Sequence, residues 1–310
     1  MIDLSSRRVY FVTGKGGTGK TAVCVALARA LARRGRRVLL LEVDAPRPNL
    51  PSYFGGEPSF EPRVLAPRIE GANVEFFDAL RSYVESVVPV KSVVRLILRN
   101  KVVRLFLTAT PGARELVLLS RIWEQSYDPR WDHLIVDLPA SGHALALFRC
   151  PFLAQRAFDR GPLRKRAEQI AERFNDPEVA ALLFCALPGE MPINETLETR
   201  EKMVAMGLPP VGGVLLNRYP DERLTERDLT LLADLLELSE GQDRLADVPS
   251  RVAAAASAAR DIRREQRVAE EGLTRLKVDF GEDTGFLPQV PGAHSQVADA
   301  LSLVLGAWMQ

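Results

Sequence analysis

Eight consecutive residues near the N-terminus carry the clearest chemical signal in this sequence. They match the spacing G-x-x-x-x-G-K-T, whose glycines let backbone N–H groups turn toward phosphate oxygens. Lys20 would reach the β- and γ-phosphates of a nucleotide, and the Thr21 hydroxyl would ligate Mg²⁺. We therefore expect the nucleotide to contact residues of this loop and the next residue, namely Gly14, Gly16, Gly17, Thr18, Gly19, Lys20, Thr21 and Ala22.

The glycine loop (residues 14–21) lies between two elements of the kind that such a loop requires. An apolar run at 9–12 precedes it and an alanine- and leucine-rich run at 22–32 follows it, so we predict strand, loop and helix. The helix should end at Gly35. Residues 37–44 then form a buried parallel strand and complete a right-handed βαβ unit.

Two predicted strands end in carboxylates. The first ends at Asp44, and the second, at 131–137, ends at Asp137. Because the carboxyl ends of parallel strands face the ligand crevice of an α/β sheet, we expect both side chains near the phosphates. Asp137 would hold a water of the Mg²⁺ shell. The predicted metal ligands are therefore Thr21, Asp44 and Asp137, with the carboxylates acting through water.

The composition indicates an ordinary globular protein. With 310 residues, of which 46% are hydrophobic, the chain can bury the core of one large α/β domain. Lys and Arg number 41 against 40 Asp and Glu, so we expect no nucleic-acid partner. Residues 1–8 contain no apolar signal segment and no spanning run occurs, so we expect a cytoplasmic protein, with any membrane contact peripheral. The cysteines form no C-x-x-C pair, so no zinc site is expected.

Lys15, directly after the first glycine, makes the loop G-K-G-G-T-G-K-T. This deviant form resembles the loop of the ATPase class that includes MinD, ParA, the nitrogenase iron protein and the arsenite pump. In that class the extra lysine reaches across a dimer interface to the partner's nucleotide. The resemblance therefore implies that the protein works as a face-to-face dimer in which Lys15 has a catalytic role beside Lys20.

Four further stretches resemble the arsenite-pump and tail-anchored-protein-targeting ATPases. They are T-P-G-A-R-E-L at 110–116, D-L-P-A-S-G-H at 137–143, L-P-G-E-M-P-I-N-E-T at 187–196 and F-L-P-Q-V-P at 286–291. The resemblance implies that Gly142 donates toward the γ-phosphate and that Asn217 and Pro288 contact adenine. It also implies that Asp44 orients the attacking water, although Asp44-Ala45-Pro46-Arg47 departs from the family's D-P-A-H. His143 has either a switch or packing function or the role of a general base.

The base is expected to be adenine. A guanine-specific N-K-x-D after the strand at 211–218 would need an aspartate at position 220, where Pro220 stands. The expected cofactors are therefore ATP and Mg²⁺.

We predict an α/β fold, a doubly wound and mostly parallel sheet, in a single P-loop ATPase domain over residues 1–310. Insertions at about 79–125 and 144–174 would form a helical subdomain, with breaks at Cys150-Pro151 and Gly161-Pro162. Residues 46–67 are predicted as loop, 73–77 and 276–280 as short strands, and the last helix begins at about Ser295.

One predicted helix runs from 79 to about 107 with a hinge at Pro89. Its second half, 90–106, is amphipathic and basic. It either packs on its own domain or offers a surface to an apolar client or an anionic membrane.

The sequence as a whole favours a Mg²⁺-dependent ATPase that acts as a dimeric switch. The chain would form a homodimer or a heterodimer with a paralogue. Closure of the dimer would be coupled to a protein client that is hydrophobic or membrane-associated. Arsenite transport is not expected, because no cluster of thiols occurs. Two alternatives stay open: a positioning ATPase of the ParA or MinD type, and an ATP-dependent metabolic ligase that uses the same loop.

Overall fold

The computed structural model describes most of the chain. The described residues are 2–45, 47–88, 112–206, 209–220, 225, 227–228, 230–231, 233–234 and 248–309. The basic amphipathic segment at 90–106 and the hinge at Pro89 lie outside these residues, as does much of the charged stretch before residue 248.

An eight-stranded sheet forms the centre of the described fold. Its strands are β1 (Val9–Thr13), β2 (Val38–Val43), β3 (Arg63–Ala66), β4 (Ile69–Val74), β5 (His133–Asp137), β6 (Ala180–Ala186), β7 (Val211–Tyr219) and β8 (Thr284–Pro288). They lie in the order β3-β4-β2-β5-β1-β6-β7-β8, and all neighbours are parallel except β3 and β4. The strand order reverses around β1, which places a ligand crevice at its carboxyl end. The predicted doubly wound α/β fold is confirmed.

Helices cover both faces of the sheet. Those whose bounds the structure defines are α1 (Lys20–Arg33), α2 (Pro51–Phe54), α3 (Phe76–Val87), α4 (Ala113–Ser126), α5 (Ser141–Ala157), α6 (Pro162–Asn175), α7 (Glu190–Met206), α8 (Val248–Phe280) and α9 (His294–Trp308). Helices α1 and α9 share one apolar core, and α3 to α8 contribute to the other. Because side chains alternate along a strand, Val9 and Phe11 enter one core while Tyr10 and Val12 enter the other.

The elements that carry the loop form where the sequence places them. The strand before the loop and the helix after it are β1 and α1, and Gly35 follows α1 with a φ of 80°. Such a left-handed conformation is open to glycine at little cost, so Gly35 ends the helix as predicted. The strand predicted to end at Asp137 is β5, and the last helix begins at His294.

Two predictions of local structure are wrong. Residues 276–280 are not a strand, because α8 continues to Phe280 and buries Leu276 and Phe280 one turn apart in the core. The chain also does not break at Cys150-Pro151. Proline removes one helical hydrogen bond, but α5 continues through Pro151, with Leu147, Phe148 and Ala154 of the same helix buried. The break at Gly161-Pro162 is confirmed by the start of α6.

The segments predicted as loop and short strand also differ in detail. Strand β4 ends at Val74 and α3 begins at Phe76, so 73–77 holds a strand end and a helix start. The stretch at 46–67 contains α2 and β3 within its loops.

Helices α3 to α6 pack on one another over one face of the sheet and share its apolar core. A separate helical subdomain at 79–125 and 144–174 stays a prediction. Among the described helices, none combines the length and the apolar character needed to cross a bilayer.

Candidate functional site

A cleft of about 670 Å³ opens beside the glycine loop at the carboxyl edge of the sheet. The cleft is lined by residues from the loop and the start of α1, from the segment before and within α2, from the ends of β7 and β8, and from the segment that leads from β8 into α9. They are Gly17, Gly19, Lys20, Thr21, Ala22, Asn49, Ser52, Tyr53, Asn217, Arg218, Pro288, Gln289, Val290, Pro291, Gly292, His294 and Val297. The structure therefore places most of the predicted nucleotide contacts around one cavity.

At two glycines of the loop, both the backbone conformation and the neighbouring atoms exclude a Cβ. Gly14 has a φ of 152°, and a Cβ there would collide with the carbonyl oxygen of Cys185. Gly19 has a φ of 88°, and a Cβ there would collide with the side-chain amide of Asn217. Both conformations are rare for L side chains. The loop is thus packed tightly against the ends of β6 and β7.

Two hydrogen bonds close the loop on itself. The Thr18 hydroxyl donates to the carbonyl oxygen of Lys15 at 2.9 Å, and the ammonium of Lys20 donates to the same oxygen at 3.2 Å. Lys20 therefore folds over the loop, where its charge can approach an anion in the cleft.

Thr21 and Asp137 meet next to the loop. The Thr21 hydroxyl donates to Oδ2 of Asp137 at 2.6 Å, and Asp137 is almost wholly buried. Among the described residues, Oδ1 of Asp137 has no hydrogen-bond partner. The pKa of Asp137 is raised to about 7, mainly because the carboxyl group is buried; the hydrogen bond from Thr21 opposes this rise and the carboxylate of Glu42 adds to it. Because Mg²⁺ prefers oxygen ligands, a hydroxyl and an incompletely paired carboxylate fit that ion.

Glu42 is a site residue that the sequence analysis missed. It lies opposite Asp137 in the register of β2 and β5 and is almost wholly buried. Its carboxylate accepts hydrogen bonds from the backbone N and the side-chain amide of Asn49, at 2.7 and 2.8 Å, and from the backbone N of Leu50 at 3.4 Å. A charged residue inside the apolar run 38–43 was the available signal, since buried charges need partners.

Asp44 pairs with a residue of a helix and makes no hydrogen bond with Thr21 or Asp137 in the described part of the chain. Its backbone has a φ of 51°, and its carboxylate forms an ion pair with Arg114 of α4. Its metal-binding and water-orienting roles stay predictions.

Lys15 is engaged within its own chain. Its ammonium lies 3.1 Å from Oε2 of Glu195 in α7, and the other oxygen of Glu195 accepts a hydrogen bond from the Ser141 hydroxyl at 2.7 Å. The bond from Ser141, followed by the charge of Lys15, lowers the pKa of Glu195. The backbone N of Ser141 also donates to the carbonyl oxygen of Gly14 at 3.2 Å. The contacts of Glu195 therefore join the glycine loop to the start of α5.

Gly142 and His143 lie exposed in the first turn of α5, after Ser141. A Cβ at Gly142 would meet no heavy atom within 4 Å, so this position is open toward solvent. Both residues follow Ser141, whose backbone N donates a hydrogen bond to Gly14 of the loop, and their roles toward a phosphate stay predictions.

Asn217 supports the loop from the end of β7. Its amide donates to the carbonyl oxygen of Thr18 at 2.8 Å, and its side chain is buried. Pro288 ends β8 on the same side of the cleft, and the backbone N of Gln289 donates to the carbonyl oxygen of Tyr219 at 2.8 Å. Asn217 and Pro288 both line the cleft, and their contact with adenine stays a prediction.

A phosphate-binding loop between β1 and α1 of a doubly wound sheet, with a buried carboxylate on the neighbouring strand, defines a P-loop nucleotide-binding protein. The family model of the anion-transporting ATPases matches residues 7–162. The chain belongs to this family, which includes the arsenite-pump and tail-anchored-protein-targeting ATPases, so the resemblance found in the sequence is confirmed.

Three relatives illustrate the similarity. The chain is 30% identical to ATPase BagA of Mycobacterium tuberculosis over 249 residues, 74% of this chain and 71% of that protein. It is 28% identical to an arsenical pump-driving ATPase of Escherichia coli over 266 residues, 78% of this chain and 44% of that protein. It is 25% identical to ATPase get3 of Botryotinia fuckeliana over 259 residues, 81% of this chain and 70% of that protein.

Proposed function

We propose that this protein binds and hydrolyses ATP with Mg²⁺ and works as a dimeric switch that acts on a client. The contact between Thr21 and Asp137 carries the proposal, because it sets a hydroxyl beside a buried carboxylate whose second oxygen is free of described partners. The names of the relatives support ATP hydrolysis, since each is called an ATPase.

The residues of the loop would act on the phosphates directly. The N–H groups of residues 14–21 and the N-terminus of α1 favour an anion, and Lys20 adds a positive charge. Thr21 and Asp137 would hold Mg²⁺, which neutralises charge on the β- and γ-phosphates when bound. Asp44 would orient the attacking water after it leaves Arg114.

Dimer closure would engage Lys15 and the start of α5. Lys15 would leave Glu195 and reach the nucleotide of the partner chain. The N–H of Gly142 would donate to the γ-phosphate and release when that phosphate departs. Since α5 packs on α4, α6 and α7, its movement would change the surface made by these helices.

The partner and the client are proposed by class. The dimer forms with a second copy or with a paralogue, and the client is a hydrophobic or membrane-associated protein. We place the protein in the cytoplasm, with membrane contact through its surface or its client. The relative named as an arsenical pump-driving ATPase supports a role in which ATP hydrolysis is coupled to another protein, and it does not identify the client of this chain.

Nucleotide binding is tested by Lys20→Ala, measured by calorimetric titration with Mg·ADP and Mg·ATP. We expect the variant to lose binding, because the side chain of Lys20 supplies the charge at the loop. Lys202→Ala, an exposed position in α7, serves as the control. Unchanged affinity in Lys20→Ala would contradict the assignment of the loop.

The dimer is tested by light scattering without nucleotide, with Mg·ADP and with a slowly hydrolysed ATP analogue. We expect the analogue alone to double the mass of the wild type, and Lys15→Ala to stay monomeric while still binding nucleotide. A mass that is the same in every state would remove the switch role from Lys15.

A further inference from the structure

The cleft beside the glycine loop contains two aromatic side chains from distant parts of the chain. Tyr53 lies in α2 and His294 is the first residue of α9, and both line the cleft. Their rings meet nearly edge to face, with centroids 5.4 Å apart and planes at 72°. Neither residue belongs to the loop or to the carboxylates beside it, so the proposed function leaves the pair without a role.

Polar contacts hold both residues in place. Nη1 of Arg29 in α1 donates to the carbonyl oxygen of Ser295 at 2.7 Å, and Nη2 donates to the carbonyl oxygen of Tyr53 at 3.4 Å. Glu42 secures the turn before α2 through Asn49. The two aromatic residues are therefore anchored to α1 and β2, the elements that carry the loop and a carboxylate of the site. Such anchoring orders a binding surface before a ligand arrives.

The Tyr53 side chain is suited to meet a polar ligand. Its hydroxyl has no hydrogen-bond partner among the described residues, although the residue is half-buried. Burial raises the pKa of Tyr53 to about 12, so the hydroxyl stays protonated at neutral pH and can donate. His294 lies exposed at the edge of the same cavity.

The chemistry of this pair fits a nucleoside better than a phosphate chain. The N–H groups of the loop and the side chain of Lys20 are suited to bind phosphates, whereas aromatic rings stack on the faces of bases. We propose that Tyr53 and His294 form the nucleoside subsite of the cleft and contact the base and ribose of a bound nucleotide. This inference rests on the proposed function, because it requires the glycine loop to hold the phosphates.

The test compares a ligand that has a nucleoside with one that has only phosphates. Binding of Mg·ADP and of Mg·tripolyphosphate is measured by calorimetric titration for the wild type, Tyr53→Ala, Tyr53→Phe and His294→Ala. We expect Tyr53→Ala to weaken Mg·ADP on the order of tenfold and Tyr53→Phe and His294→Ala about threefold, with tripolyphosphate changed by less than about twofold. Tyr127→Ala removes an exposed ring outside the cleft and is the matched control.

Each outcome decides between distinct interpretations. Equal losses for Mg·ADP and tripolyphosphate, or unchanged Mg·ADP affinity in all three variants, would overturn the subsite. If Tyr53→Ala does not fold, His294→Ala and Tyr53→Phe still give the comparison. A wild type that binds neither ligand would contradict the proposed function itself, whereas a wild type that binds both leaves only the role of Tyr53 and His294 in question.

Discussion

Arg114 forms a bidentate ion pair with Asp44, with Nη2 2.5 Å from Oδ1 and Nε 3.1 Å from Oδ2. Asp44 directly follows β2, and Arg114 is the second residue of α4, where its guanidinium also lies 4.9 Å from the ring centre of Phe76. The carboxylate that we propose to orient water is therefore bound to a helix. In the proposed function, Asp44 would leave Arg114 before it orients the water.

We predict that Arg114→Gln raises the rate of ATP hydrolysis by up to about fivefold, because a partly exposed ion pair contributes up to about 1 kcal/mol and its loss would free Asp44. Asp44→Asn should abolish hydrolysis in either background. Steady-state phosphate release measures both, and Arg130→Gln, which removes an exposed pair with Asp128, is the control. A lower rate in Arg114→Gln would instead indicate that Arg114 acts on the nucleotide.

Glu195→Gln should strengthen dimerisation. The substitution removes the charge that holds Lys15 in its own chain but leaves an acceptor for Ser141. Since this pair is partly exposed, we expect the dimer dissociation constant to fall by at most about fivefold. Light scattering over a concentration series with the slowly hydrolysed analogue measures the change.

Glu198→Gln, in the same helix and paired with Lys202 at 3.7 Å, is the matched control for Glu195→Gln. A weaker dimer in Glu195→Gln would mean that Glu195 contributes to the interface and does not restrain Lys15.

Asp137→Asn should stabilise the protein without nucleotide or metal at alkaline pH. The pKa of Asp137 is about 7 in the folded chain against an ordinary value of 3.8, so the folded state retains the proton over this window. The free energy of unfolding of the wild type therefore falls as pH rises from about 4 to 7. Asparagine removes this cost, worth on the order of a few kcal/mol at about 1.4 kcal/mol per pKa unit.

Thermal unfolding with a chelator at pH 5 and pH 8 measures this difference. The advantage of Asp137→Asn should be larger at pH 8 and shrink toward pH 5. A variant less stable than the wild type at pH 8 would show that the ionised carboxylate is satisfied in the folded protein.

Gly14→Ala and Gly16→Ala should have different effects on the free energy of unfolding, although the two glycines lie only two residues apart. A Cβ at Gly14 would meet the backbone of Cys185, whereas a Cβ at Gly16 would meet nothing within 4 Å. We expect Gly14→Ala to lower the free energy of unfolding by about 1–3 kcal/mol and Gly16→Ala by less than about 0.5 kcal/mol. Urea unfolding monitored by circular dichroism checks this, and equal losses would contradict the tight packing of Gly14 against the end of β6.

Much of the fold follows from local pattern. Apolar runs of strand length, helical runs between them and carboxylates at strand ends predict a doubly wound sheet, and β1, α1, β2 and β5 form as expected. The sequence pattern does not decide between strand and helix where the apolar residues fit the spacing of both. Leu276 and Phe280 alternate with charged residues as in a strand, yet they are also one helical turn apart, and α8 uses the helical spacing.

Part of the candidate site could be predicted in the same way. The pairing of Thr21 with Asp137 follows from a loop after one strand and a carboxylate at the end of its neighbour. Two other pairings could not be predicted from the sequence, namely those of Asp44 with Arg114 and of Lys15 with Glu195. They join segments 70 and 180 residues apart that no local pattern connects.

The sequence by itself determined the chemistry of the loop, the class of the fold and the family, because each is encoded in residue types at short and regular spacing. Only the tertiary structure decided which side chains from distant segments share the cleft. Arg29 and Ser295 meet across 266 residues, and Tyr53 meets His294, because the order of the strands brings α1, α2 and α9 together. Such contacts depend on how the whole sheet is assembled, which residue spacing does not record.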